Sequence, residues 1–273
     1  VLAFILTNGG GVILAVLCWL LARRSRSGAF IGALVLLAAL ILKAVLTHKP
    51  AWEAGLFPWS GYLYVQSYWL FASGGAFFAL VAPLLPVPRN RRAVVILAAT
   101  VLAAGAWDSA WMFGLPEVGE DRHADARHQC RQSTPFTCAP TACVCALSYV
   151  GIDTTERDMA RLCLTRRDGT TRFNTYRGLL LKLAGTRWRA RMVEIPPEAL
   201  CVKGSIAVID EPAAFHAIAV IGTGDGVTLH DPLNDMPLHW TPEMLKLAYG
   251  GLAIVIEPIP AGTPDDKFTQ QMR

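Results

Sequence analysis

Four residues in the second half of this sequence have the types and spacing of acyl-transfer chemistry. In the run CRQSTPFTCAPTAC, residues 130–143, Gln132 stands six positions before Cys138, and Cys138 opens a stretch that reads as a helix. Thr137 is the expected N-cap, and Pro140 is tolerated in a first turn, where its missing N–H would have had no partner. The start of a helix carries partial positive charge and unpaired N–H groups. Both favour a thiolate, so the cysteine becomes nucleophilic near neutral pH. The Cys138 amide can donate to a developing oxyanion, and a Gln132 amide one short loop upstream supplies a second donor.

A thiolate needs a base, and the base needs an orienting group. Residues 215–232, FHAIAVIGTGDGVTLHDP, place two apolar runs around a glycine-rich turn, which predicts a hairpin. Folding about a centre between Thr223 and Gly224 sets His216 opposite Asp231, at the cross-strand distance of about 5 Å. A one-residue slip would exchange the roles of His230 and Asp231. Asp210 and Asp235 are alternative orienters, and His239 reads as a loop residue. Each residue alone has an ordinary structural reading; the order Gln, Cys, His, Asp at workable spacings is what favours function.

Elements that would position these residues follow from the pattern. Helices are expected over 138–150, 154–164 and 176–184, the second with Thr154 or Thr155 at its start. Strands are expected over 187–194, 205–210, 215–221, 227–231 and 252–257, each rich in β-branched or apolar residues. Helices first and strands afterwards predict an α+β domain over 130–258, with a polar tail, 259–273. The charged run 114–129 reads as a linker. His123, Asp125 and His128 within it could ligate a metal, but a solvated linker is the ordinary reading, and neither a metal nor a cofactor is expected.

The first 113 residues differ sharply from this. Hydrophobic residues make up 53% of the 273-residue chain and charged residues 17%, which excludes an ordinary soluble protein. Apolar runs over 1–22, 28–47, 61–84 and 93–113 approach the roughly 20 residues a bilayer core requires and predict a segment of four transmembrane helices. Arg23, Arg24 and Arg26 occupy the first loop, and Arg89, Arg91 and Arg92 the third. Positive loops stay cytoplasmic, so both termini are expected outside. Trp52, Trp59, Tyr62, Trp107 and Trp111 all fall at the outer ends, and Lys43 is expected to snorkel outward. The net charge of +4, with no basic stripe, argues against a nucleic-acid partner.

On QSTPFTC (132–138), FHAIAV (215–220) and HDP (230–232), the chain resembles the bacteriocin-leader, double-glycine peptidase family of papain-like cysteine proteases over roughly 128–258. The resemblance implies Cys138 as nucleophile, His216 as base, Asp231 as orienter and Gln132 as oxyanion donor. It also implies a helical half carrying the cysteine, packed on an antiparallel sheet carrying the histidine and aspartate. Ala139 stands where the family has glycine. Well-known members open an ABC exporter and work in the cytoplasm, whereas this domain follows the membrane segment and no GxxxxGK[ST] phosphate loop is present. A transporter would therefore be a separate partner.

The expectation is a multi-pass protein of the bacterial inner membrane. Its periplasmic domain would cleave peptides or exported proteins with a Cys-His-Asp triad, the lipid bilayer serving as anchor. The alternatives are a catalytically inactive papain-like module that binds peptides or tethers a partner, and amidase- or transglutaminase-like acyl transfer. An outside location permits disulfides. A Cys130–Cys163 bridge would pin the loop beside the site, adding about 3 kcal/mol. Cys143 and Cys145 are expected to be small core residues.

Overall fold

The computed structural model describes residues 2–114, 117–211 and 216–260. The expected tail lies outside these beyond Pro260, as do residues 115–116 of the expected linker and Phe215 of the expected third strand. The chain divides into two compact units. One comprises 1–49 and 65–114, the other 50–64 and 115–273.

The first unit is built from long helices: α1 (Leu2–Arg24), α2 (Arg26–Thr47), the greater part of a helix that begins at Ser60, and a last helix, Pro88–Asp108. Three of these, Leu2–Arg24, Arg26–Thr47 and Ser60–Leu84, are long and apolar enough to cross a membrane. The fourth expected span, 93–113, starts instead at Pro88, and Arg89, Arg91 and Arg92 in its first turns exclude it from that class. Ala22, Ala29, Ala33 and Leu80 form a small shared core. Glycines let helices approach: a Cβ on Gly75 would collide with Leu102, and one on Gly105 with Phe71. Lys43 does not snorkel. It is buried, and its Nζ donates to Gln66 Oε1 at 3.1 Å.

The second unit begins with a short helix, α3 (Pro50–Leu56), and takes in the first residues of α4 (Ser60–Val81), the helix before α5 (Pro88–Asp108). Ala54 and Leu63 are buried in its principal core, and α3 packs on the first strand. Next come α6 (Cys138–Ser148), α7 (Glu156–Leu162) and α8 (Arg172–Leu183). The remaining elements are β1 (Trp188–Glu194), α9 (Pro197–Leu200), β2 (Ile206–Glu211), β3 (His216–Gly222), β4 (Val227–His230), β5 (Leu238–Trp240), α10 (Pro242–Ala248) and β6 (Leu252–Pro258). The fold is α+β: helices, then a six-stranded antiparallel sheet in the order β1-β6-β2-β3-β4-β5.

Alternation along the strands separates two cores. Ala217, Ala219 and Ile221 of β3 join α6 and α8 on one face; Ile218 and Val220 join Leu200 and Leu245, from α9 and α10, on the other. Residues 139–147 of α6 are buried on every side, so this helix is the axis of the first core. Its small side chains (Ala, Thr, Cys) let the sheet approach closely, and Leu147 and Leu179 fill the space between helices. Each such leucine contributes about 1.5–3 kcal/mol by its burial. Side-chain caps fix the starts of α7 and α8. Thr155, not Thr154, accepts from Asp158 N at 3.0 Å, and Thr171 from Asn174 N at 3.3 Å.

Candidate active site

Cys138 is the first residue of α6, as expected, but Thr137 does not cap the helix with its side chain. Its Oγ1 donates instead to Thr134 O at 3.0 Å, closing the turn that precedes the helix. The first orphan amides of α6 are thereby left for another acceptor.

His216 opens β3, and its Nε2 lies 2.6 Å from Asp231 Oδ1. The other ring nitrogen is left for the side of Cys138. The hairpin that makes this possible differs from the expected one. Thr223 N donates to Gly226 O at 3.0 Å, and Gly224 takes φ +101°, so the turn centres on Gly224 and Asp225. Pairing is Ala219↔His230 and Gly222↔Val227, a slip of two residues from the expected register. A slip of two preserves faces, so His230 and Asp231 keep their separate roles. Asp231 no longer faces His216 across a ladder. It lies past the end of β4 in a turn, where Leu233 N donates to its Oδ1 at 2.9 Å and Asn234 Nδ2 to its Oδ2 at 2.7 Å.

The electrostatics of the three residues are mutually consistent. Burial raises the Cys138 thiol, but hydrogen bonding toward His216 and the Ala217 amide, the charge on His216 and the Ala139 amide outweigh it, leaving the thiol below its ordinary value. Burial disfavours a charged His216, yet Asp231 and Cys138 together push its pKa up to about 9. Burial likewise raises the Asp231 carboxyl, but His216 and the Leu233 amide bring it below the usual range. The three shifts run in the directions that favour a thiolate beside an imidazolium backed by a carboxylate.

Gln132 lies in the loop before α6. Its backbone N–H donates to Pro232 O at 3.0 Å, which laces this loop to the turn carrying Asp231. Its Nε2 donates one hydrogen to Thr134 O at 2.8 Å, leaving the second free, and its buried Oε1 has no partner among the described residues. An under-satisfied buried amide costs about 1–3 kcal/mol, and such groups are tolerated chiefly at functional sites.

Sequence reasoning missed two supports. Gln129 Nε2 donates to both Asp231 O and Asn234 O, each at 2.8 Å, so its Oε1 faces His230 Nδ1 at 3.1 Å. His230 Nδ1 must then carry the proton, and Nε2 accepts from the Tyr149 hydroxyl at 2.9 Å. Burial, with a smaller effect of His128, pushes the His230 pKa down to about 4 and keeps the ring neutral. The second support is Glu156, fully buried, whose carboxylate accepts from Glu120 N and Ser133 N and shares the Thr141 hydroxyl with Thr137 O. The sequence signal for it was only an acidic first helical turn.

Other candidates are engaged elsewhere. Asp210 pairs with Arg172 at 3.4 Å and Asp235 with Arg131 at 3.1 Å. His239 is exposed on β5. His123 meets Asp153 at 2.7 Å, Asp125 accepts from Arg127 and the Gln129 amide, and His128 Nδ1 meets Ser148 Oγ at 2.9 Å, so the three do not converge.

The expected Cys130–Cys163 bridge is absent, and both are free thiols. Cys143 and Cys145 are two residues apart on α6, about 200° around its axis. Cys145 Sγ accepts from Cys130 N at 3.2 Å, while Cys143 meets Cys163. Cys130 and Cys163 therefore flank opposite sides of a buried helix about 10 Å wide, beyond the reach of a disulfide. Burial, with the nearby Glu156 carboxylate, pushes the Cys130 thiol up to about 12, and burial also raises Cys143 and Cys145.

No family model and no curated protein matches the chain. Among solved structures it is similar to a double glycine motif protease from an AMS/PCAT transporter, crystallised in complex with the leader peptide. That likeness has 16% identity and a TM-score of 0.41, covering 53% of this chain and 97% of that one. It is also similar to the peptidase domain of Streptococcus ComA, a bi-functional ABC transporter of a quorum-sensing pathway. Here the identity is 19% and the TM-score 0.40, over 48% of this chain and 97% of that one. At these TM-scores the likeness carries no argument, and the functional reading rests on the side chains described above.

Proposed function

We propose that the chain is a membrane-anchored cysteine peptidase acting on peptides or exported proteins, with Cys138 as nucleophile, His216 as acid–base, Asp231 as orienter and Gln132 as oxyanion donor. The observation that carries this reading is the His216–Asp231 hydrogen bond at 2.6 Å beside a cysteine that opens a buried helix, and the directions of shift, thiol down and imidazole up, agree with it. A buried core cysteine or a satisfied strand histidine would show neither.

In this reading the Cys138 thiolate adds to the substrate carbonyl carbon, and the carbonyl electrons move to oxygen. The Cys138 amide and the free Gln132 N–H stabilise that oxygen. As the carbonyl re-forms, the C–N bond breaks and His216 gives its proton to the departing amine. Neutral His216 then takes a proton from water as its oxygen attacks the thioester, and the thiolate leaves with the acid product.

Orientation has its own support. Pro50–Tyr64 joins two apolar helices, yet it contributes Ala54 and Leu63 to the core of the peptidase unit. That loop and the peptidase unit therefore share one side of the membrane. The loop carries none of the arginine clusters at 23–26 and 89–92, which supports an extracytoplasmic domain in this reading.

The test is turnover of a fluorogenic peptide library by the full chain in detergent, beside labelling by a thiol-directed peptidase probe. Cys138→Ala abolishes both if the reading holds. Labelling that survives this substitution contradicts it.

A further inference from the structure

Glu156 is a carboxylate buried to zero exposure, with no ion pair among the described residues. Desolvating a charge at such a site is costly, and only two backbone amides and one shared hydroxyl offset the cost. Oε1 accepts from Ser133 N at 2.8 Å and lies 3.2 Å from Thr141 Oγ1, whose one hydrogen it shares with Thr137 O at 2.7 Å, and Oε2 accepts from Glu120 N at 2.9 Å. Capping does not explain the residue, since Thr155 already caps α7. The identity of the donors is more telling. Ser133 directly follows Gln132, and Thr141 lies one turn along α6 from Cys138.

We propose that Glu156 is the positioning residue of the oxyanion hole. Through one carboxylate oxygen it sets the distance between the loop bearing the Gln132 amide and the helix bearing the nucleophile. The assignment rests on the peptidase reading above. It differs from a general packing role because it concerns one half of the site. His216 and Asp231 are held by β3 and by Gln129, whereas the loop bearing Gln132, tied at its backbone N–H to Pro232 O, is held at Ser133 by Glu156.

Two reactions of the same sulfur separate these halves. Alkylation by iodoacetamide forms a C–S bond as iodide leaves, and it develops no oxyanion. Capture of a peptide aldehyde adds the sulfur to a carbonyl, whose oxygen takes the charge and then a proton. Glu156→Gln keeps one acceptor oxygen where the carboxylate has two, so its N–H₂ must face either the Ser133 amide or the Glu120 amide. In the full chain in detergent, it is expected to weaken aldehyde capture and peptide turnover by about 10- to 100-fold. Alkylation and its pH profile are expected to stay within about twofold. Glu156→Asp keeps the charge and recovers part of the loss. Combined with Gln132→Ala, Glu156→Gln is expected to cost little further, because both act on the same donor.

Alkylation that falls in step with aldehyde capture overturns the assignment. So does aldehyde capture that is unchanged, a full additional loss on top of Gln132→Ala, or unfolding of both Glu156 variants by near-UV circular dichroism. If the unsubstituted chain captures no peptide aldehyde, the peptidase reading itself fails, and the assignment falls with it.

Discussion

His216 and Asp231 meet at 2.6 Å although no ladder pairs them: β4 ends at His230, opposite Ala219, and Asp231 reaches the imidazole from the turn beyond. The position of the carboxylate is thus set by that turn, not by strand pairing. Gln129 holds the turn at two carbonyls, Leu233 and Asn234 hold the carboxylate, and the Gln132 amide holds Pro232 O.

Gln129→Ala would take the buried partner from Asn234 O and His230 Nδ1 and leave Asp231 O with the Asn234 amide alone. A loss of about 2–5 kcal/mol is expected. Denaturant unfolding of the second unit, followed by tryptophan fluorescence, measures it, and a change under about 0.5 kcal/mol would show that the network bears no such weight.

Stability is expected to peak near neutral pH, because the two buried histidines act in opposite directions. His230 falls from about 6.5 unfolded to about 4 folded, so between those values the unfolded chain binds more protons. Its contribution is full above pH 6.5 and is lost by about 3 kcal/mol as pH falls to 4. His216 is raised to about 9, so its contribution is full below pH 6.5 and is lost as pH rises through 9. Unfolding free energies measured from pH 4 to 9.5 test both limbs, and His216→Ala should flatten the alkaline one alone.

Much of this arrangement is legible in sequence. The run of small apolar residues after Cys138 predicts a buried helix, and β-branched runs mark five of the six strands. Register was not legible, because Thr223-Gly224-Asp225-Gly226 admits more than one turn centre, and only the positive φ of Gly224 decides between them. β5 has three residues and two exposed side chains, too short for alternation to register. α10 carried a readable start, Thr241 followed by Pro242, that a strand-dominated reading passed over. Gln129 and Glu156 act on partners remote in the chain, and no local pattern marks such residues. The disulfide expectation failed because spacing along the chain does not reveal which side of α6 a cysteine faces.

Free thiols make a direct prediction. Of the six cysteines in the second unit, Cys138 is the one not buried, so the folded domain should show one fast-reacting thiol there and the denatured domain six. A reductant should leave both the unfolding midpoint and activity unchanged. A lowered midpoint would reveal a disulfide.

Peptide turnover should follow a bell-shaped pH profile, rising through the lowered titration of Cys138 and falling as His216 deprotonates near pH 9. Asp231→Asn removes the carboxylate that favours the imidazolium, so the alkaline limb is expected to move down by about 1–2 pH units. An unmoved limb would separate Asp231 from the titration of His216.

The central claim is that Cys138 exists as a thiolate paired with His216. The rate of its alkylation by iodoacetamide against pH, in the unsubstituted protein and in His216→Ala, tests this most directly. The account predicts fast alkylation well below the ordinary thiol range in the former and a single titration near pH 9 in the latter. The same titration near pH 9 in both proteins would contradict it.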